Sequence, residues 1–225
     1  MRAVGCCATR CKILACWGLP AEYFHRGDEQ FWSGQWLTAT EDEFLQELRG
    51  RPATANGVWG SKMMWNYFDD ALARLRAWPR LGLGPGAGDP DVLAAAFPGL
   101  RYVWLRRDDK LRQAISWWRA GATGQYALAG DEQAAPPPPF DRDAIARLLR
   151  YAEECEAGWG DWFTAHSIAP FEIVYEDMTR DLAATVRELA AFLGVGLPPG
   201  RASVRPRLRR QADQHTERLV ELFRG

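Results

Sequence analysis

Apolar and polar positions along this chain change rhythm repeatedly, and each change marks an element. Short, nearly all-apolar runs read as buried strands: RYVWL at 101–105, and FEIVYED at 171–177. GVWGSKMMW at 57–65 reads as a third strand with its tip near Lys62. Elsewhere the spacing turns helical. TEDEFLQELR at 40–49 opens on Thr40 as cap, with acids in the first turn. NYFDDALARLRAW at 66–78 reads as a helix that stops before Pro79, and DVLAAAF at 91–97 as a short one closed by Pro98 and Gly99. KLRQAISWWRA at 110–120 is helical. Beyond the cap Asp141, residues Ile145, Leu148, Leu149, Ala152, Trp159, Trp162 and Phe163 keep helical spacing. In TRDLAATVRELAAFLG at 179–194, Thr179 is the expected cap, Leu182, Val186, Leu189 and Leu193 form the stripe, and Gly194 ends it.

Three stretches carry neither rhythm. Residues 1–19 show no stripe and no alternation, and GLPAEYF at 18–24 reads as a turn into a short aromatic segment. ALAGDEQAAPPPPF at 127–140 holds four consecutive prolines and is expected to be an irregular surface loop, a candidate lid. PPGRASVRPRLRR at 198–210 is a basic loop leading to a last helix near 211–223.

Strands alternating with helices predict an α/β fold: one domain over 1–225 with a parallel β-sheet flanked by helices. Ligands of such folds sit at the carboxyl ends of the strands. Lys62, Arg106, Arg107 and the segment Tyr175–Asp177 all fall at such ends and are expected to share one cleft.

Charge and cysteine usage narrow the partners. A net charge of -1 argues against a broad nucleic-acid surface. No run approaches the length of a membrane span, and the first residues lack a continuous apolar core for a secretory signal, so the expected location is cytoplasmic. Cys6, Cys7, Cys11 and Cys16 crowd the start without a C-x-x-C pair, so no metal is expected. His25, His166 and His215 have no catalytic spacing.

The stretch RYVWLRRDDKLRQAISWWRAG at 101–121 carries candidate chemistry. Two arginines stand at a strand tip and a serine stands on the next helix. That arrangement suits an anion held at a strand-to-helix crossover. The plainer alternative is a set of surface ion pairs with Asp108 and Asp109.

Five segments in order, PAEYF, GVWGSKMMW, LRRDDKLRQAISWWRA, YEDMTRDLAATVRELAAFLGV and LRRQAD, resemble sulfotransferases that use 3′-phosphoadenosine 5′-phosphosulfate (PAPS). Together they resemble the bacterial branch typified by trehalose 2-sulfotransferase. It implies a P-loop nucleotide-hydrolase-like fold, PAPS as co-substrate, a small hydroxylated acceptor such as a sugar, and a homodimer. It also implies Glu22 as general base. Tyr23, Phe24, Trp32 and Trp36 form either an aromatic wall for a sugar's apolar face or ordinary core, and Lys62 either balances the sulfate or is merely exposed. Arg107 and Ser116 would hold the 3′-phosphate and Tyr175 would lie near the adenine. Arg205, Arg207, Arg209 and Arg210 either close over the donor or form a solvated basic loop.

The chain departs from the pattern twice. Asp108 stands where the family carries an arginine eight positions before the serine. No Arg-Ser-Gly-Ser/Thr-Thr-Leu loop for the 5′-phosphosulfate occurs, and MRAVGCCATRCKILACW stands in its place. A divergent or truncated N-terminus is therefore expected, and a catalytically impaired relative is the alternative. A P-loop kinase is disfavoured because G-x-x-x-x-G-K-[ST] is absent.

Overall fold

The computed structural model describes residues 21–50, 58–126, 133–196 and 214–225. Within them the order is α1 (Arg26–Trp36), α2 (Glu41–Gly50), a 3₁₀ turn (Trp65–Tyr67), α3 (Phe68–Ala77), a second 3₁₀ turn (Pro79–Leu81) and α4 (Asp89–Ala96). Next come β1 (Val103–Arg106), α5 (Lys110–Thr123), α6 (Arg142–Ala165), β2 (Phe171–Val174), α7 (Tyr175–Arg180), α8 (Leu182–Leu193) and α9 (Gln214–Arg224).

β1 and β2 pair in parallel, with Val103 opposite Phe171 and Arg106 opposite Val174. A parallel pair needs a long crossover, and α5 and α6 supply it. The register therefore places the turn after Arg106 beside the segment after Val174. This α/β arrangement, with helices around a small parallel sheet, is the expected class.

Capping follows local chemistry. Thr40 Oγ1 accepts from the Glu43 amide, while Glu43 Oε2 accepts from the Thr40 and Ala39 amides, a reciprocal box at the start of α2. Asp141 caps α6 through the Ala144 amide. The cap of α8 is Asp181, which accepts from the Ala184 amide, and not Thr179. Thr179 lies inside α7, because the YED segment leaves β2 after Val174 and turns helical at once. Gly194 ends α8 at φ 69°, where a side chain would be strained.

Residues 57–65 correct a second expectation. No strand forms over 58–64; a single parallel bridge joins Ala21 and Ser61, and Trp65 opens the 3₁₀ turn. Residues 133–140 of the proline-rich stretch have no regular structure. Residues 1–19, 127–132 and 198–210 lie outside the described residues.

Two cores form. The larger joins α1–α4 to the end of α6 and is dense in rings: Tyr23, Phe24, Trp36, Phe44, Phe68, Trp162 and Phe163 are buried in it. Most of the tryptophans are spent on this packing. The smaller, Ile115, Trp118, Ile145, Leu219 and Val220, locks α5, α6 and α9 together. Among the described residues, no helix is long and apolar enough to cross a membrane.

Candidate active site

The Ala21–Ser61 bridge builds one candidate cluster. The Lys62 amide donates to the Ala21 carbonyl at 2.9 Å, so Glu22 and Lys62 stand side by side, forty positions apart in sequence. Lys62 Nζ forms an ion pair with Glu22 Oε1. The other carboxylate oxygen, Oε2, lies 3.3 Å from the Tyr67 hydroxyl, which also lies 3.2 Å from the Lys62 carbonyl oxygen. Glu22 is only 7% exposed. A carboxylate this deep persists because a cation and a hydroxyl hold both of its oxygens. Burial, and next the Glu22 charge, push the Tyr67 hydroxyl well above the ordinary phenol range.

The ends of β1 and β2 build a second cluster. Arg107, just past β1, lays its guanidinium over the Tyr175 ring, which opens α7 just past β2. Its Nε donates to Glu176 Oε1 at 3.2 Å. Glu176 also accepts from the Asp108 amide at 3.0 Å and the Asp109 amide at 3.4 Å. One carboxylate thus ties the β1–α5 turn to the start of α7. Burial pushes Glu176 up, but the Asp108 amide, its own amide, the Asp109 amide and Arg107 outweigh it, and the carboxyl is held below its usual range. Lys110 reaches back to the Arg107 carbonyl and pairs with Glu156 on α6, pinning the same turn from behind.

The arginines divide between anion fork and surface ion pair. Arg106 pairs with Asp108 and Glu172, so it is a surface ion-pair residue. Asp109 caps α5 through the Arg112 amide and pairs with the Arg112 side chain. Asp108 is thereby taken up by Arg106, and Arg107 commits only Nε to protein among the described residues. Its two Nη groups leave a fork for an anion.

Ser116 is the seventh residue of α5, about 9 Å along the axis from its first residue, so the helix's positive end does not reach it. It lies on the stripe of Arg112 and Arg119, which bond Glu217 and Thr216 on α9. Tyr23 and Phe24 are fully buried, against Trp32, Trp36 and Trp59 in one case and Phe97 in the other. That burial makes them part of the aromatic core rather than an open wall for a sugar. Arg209 and Arg210 lie outside the described residues. Among the described residues no metal-ligating cluster forms. Neither Tyr67 nor the linking role of Glu176 is visible in the sequence, because pairings across 45 and 69 positions leave no trace in local pattern.

A profile of Stf0 sulphotransferases matches residues 8–225. The chain belongs to the Stf0 sulphotransferase family. Two curated relatives agree. Trehalose 2-sulfotransferase of Mycobacterium tuberculosis (strain ATCC 35801 / TMC 107 / Erdman) is 33% identical over 191 residues, covering 84% of this chain and 68% of that protein. Trehalose 2-sulfotransferase of Mycolicibacterium smegmatis (strain ATCC 700084 / mc(2)155) is 33% identical over 232 residues, covering 92% of this chain and 85% of that protein. The sulphotransferase match begins at residue 8 and so includes part of the cysteine-rich start. Sulfuryl transfer needs a proton acceptor and cations.

Proposed function

We propose that this chain transfers the sulfuryl group of PAPS to a sugar hydroxyl, with Glu22 as general base. The observation that carries the reading is the buried Glu22 carboxylate, ion-paired to Lys62 and bonded to Tyr67. In the transfer, the acceptor oxygen bonds to sulfur and the sulfur–phosphate oxygen bond breaks. That electron pair leaves on the phosphate, and the acceptor proton passes to Glu22. Lys62 offsets the charge that moves onto the leaving oxygen. Arg107, in the β1–α5 turn, takes the 3′-phosphate through its Nη fork, with Ser116 on α5 as a neutral donor and Tyr175 beside the adenine. Trehalose is the first acceptor to try, because both relatives carry that name.

The test has two steps. Calorimetric titration with adenosine 3′,5′-bisphosphate is expected to give a Kd of roughly micromolar, about −8 kcal/mol. Transfer from radiolabelled PAPS to trehalose is then expected, and Glu22→Gln is expected to slow it about a hundred- to ten-thousandfold, to a low but measurable rate. A second reading rests on the missing Arg-Ser-Gly-Ser/Thr-Thr-Leu loop: an impaired relative. A folded chain that binds no bisphosphate would select that reading.

A further inference from the structure

We propose that Tyr67 is a positioning residue that serves both protonation states of Glu22; the inference rests on Glu22 being the base. The Tyr67 hydroxyl has one hydrogen and faces two acceptors, Glu22 Oε2 at 3.3 Å and the Lys62 carbonyl oxygen at 3.2 Å. Both distances are long for an O–H···O bond, as expected when one hydrogen serves two oxygens. Tyr67 is itself buried, so neither acceptor is served by bulk water on that side.

The geometry gives the hydroxyl two resting positions. While Glu22 is anionic, Tyr67 donates to Oε2 and fixes the plane of the carboxylate, with Lys62 on Oε1. Once Oε2 carries the acceptor's proton it no longer needs a donor, and the hydroxyl swings to the Lys62 carbonyl. No buried donor is stranded in either state. Tyr67 keeps its own proton throughout, because burial and the neighbouring Glu22 charge disfavour the phenolate. The other charged or titratable groups facing it are Lys62, His25, whose ring lies 5.6 Å away, and Asp28.

Tyr67→Phe keeps the ring in the core and removes only the hydroxyl. The expected result is a kcat about ten- to a hundredfold lower with a donor KM within about twofold. The acid limb of the kcat profile is expected to move to higher pH, by about tenfold in proton concentration, because the anion loses a donor. In a Glu22→Gln background the same change is expected to slow the rate less than about twofold, since Tyr67 acts through Glu22. The cycle is also read on urea unfolding, which needs no substrate: a coupling of about fivefold or more in the unfolding constant is expected. An unmoved acid limb, additive losses in the double variant, or an unfolding coupling below about twofold would overturn the proposal. Full rate in Glu22→Gln alone would instead sink the base assignment, so the two failures are told apart.

Discussion

The Arg107 guanidinium sits 4.6 Å from the centroid of the Tyr175 ring, joining the residue after β1 to the residue after β2. The contact holds the fork flat against a ring while Glu176 takes one edge. A lysine cannot reproduce that plane or its paired donors. Arg107→Lys is expected to weaken adenosine 3′,5′-bisphosphate binding about ten- to a hundredfold by calorimetry, and Tyr175→Phe by less than about threefold. Equal binding by Arg107→Lys and the parent would remove Arg107 from the donor site.

Glu176 makes the same turn sensitive to acid. Its carboxyl is depressed below the ordinary glutamate value of 4.5 in the folded protein. A depressed acid contributes stability that is fully present above its unfolded value and is lost as pH falls through the folded one. Between about pH 5 and about pH 3, the parent is therefore expected to lose more stability than Glu176→Gln. Urea midpoints of the two proteins should converge as pH drops. Parallel curves would mean that the donors around Glu176 do not favour its charged form.

Gly158 supplies a packing test behind the turn that carries Tyr67. A Cβ built there overlaps the Trp65 indole, so α6 approaches the 3₁₀ turn only because that residue lacks a side chain. Helix propensity alone favours alanine over glycine by about 1 kcal/mol. Overpacking opposes this with about 1–3 kcal/mol. Trp65 has Phe68 and Trp159 against it, so it has little room to yield. Gly158→Ala is expected to lower the thermal midpoint, and a rise would show that propensity wins.

Structure is legible in this sequence where one element explains itself. The Thr40 cap, the Asp141 cap and the Gly194 stop are all local, and each stands as expected. Legibility ends where two signals compete within a few residues. Asp181 displaces Thr179 as cap because α7 runs on to Arg180, so Thr179 is already helical. GVWGSKMMW has strand composition, yet the described structure gives it one bridge, to Ala21. Glu22 and Lys62 are each legible as candidates by resemblance, but their pairing is not. It arises from a bridge between residues forty apart, which no periodicity encodes.

That pairing is itself open to a direct measurement. Glu22 and Lys62 are mostly out of water, and each satisfies the other. Lys62→Met leaves a buried carboxylate held by Tyr67 alone and is expected to cost about 3 kcal/mol in urea unfolding. Glu22→Gln leaves a lysine that is less buried, with a side chain 23% exposed, and is expected to cost less. The double variant removes both charges together. It is expected to be more stable than the sum of the single losses by at least about 1 kcal/mol. Strict additivity would mean that the ion pair contributes nothing to holding Glu22, and that the Ala21–Ser61 bridge positions the carboxylate by itself.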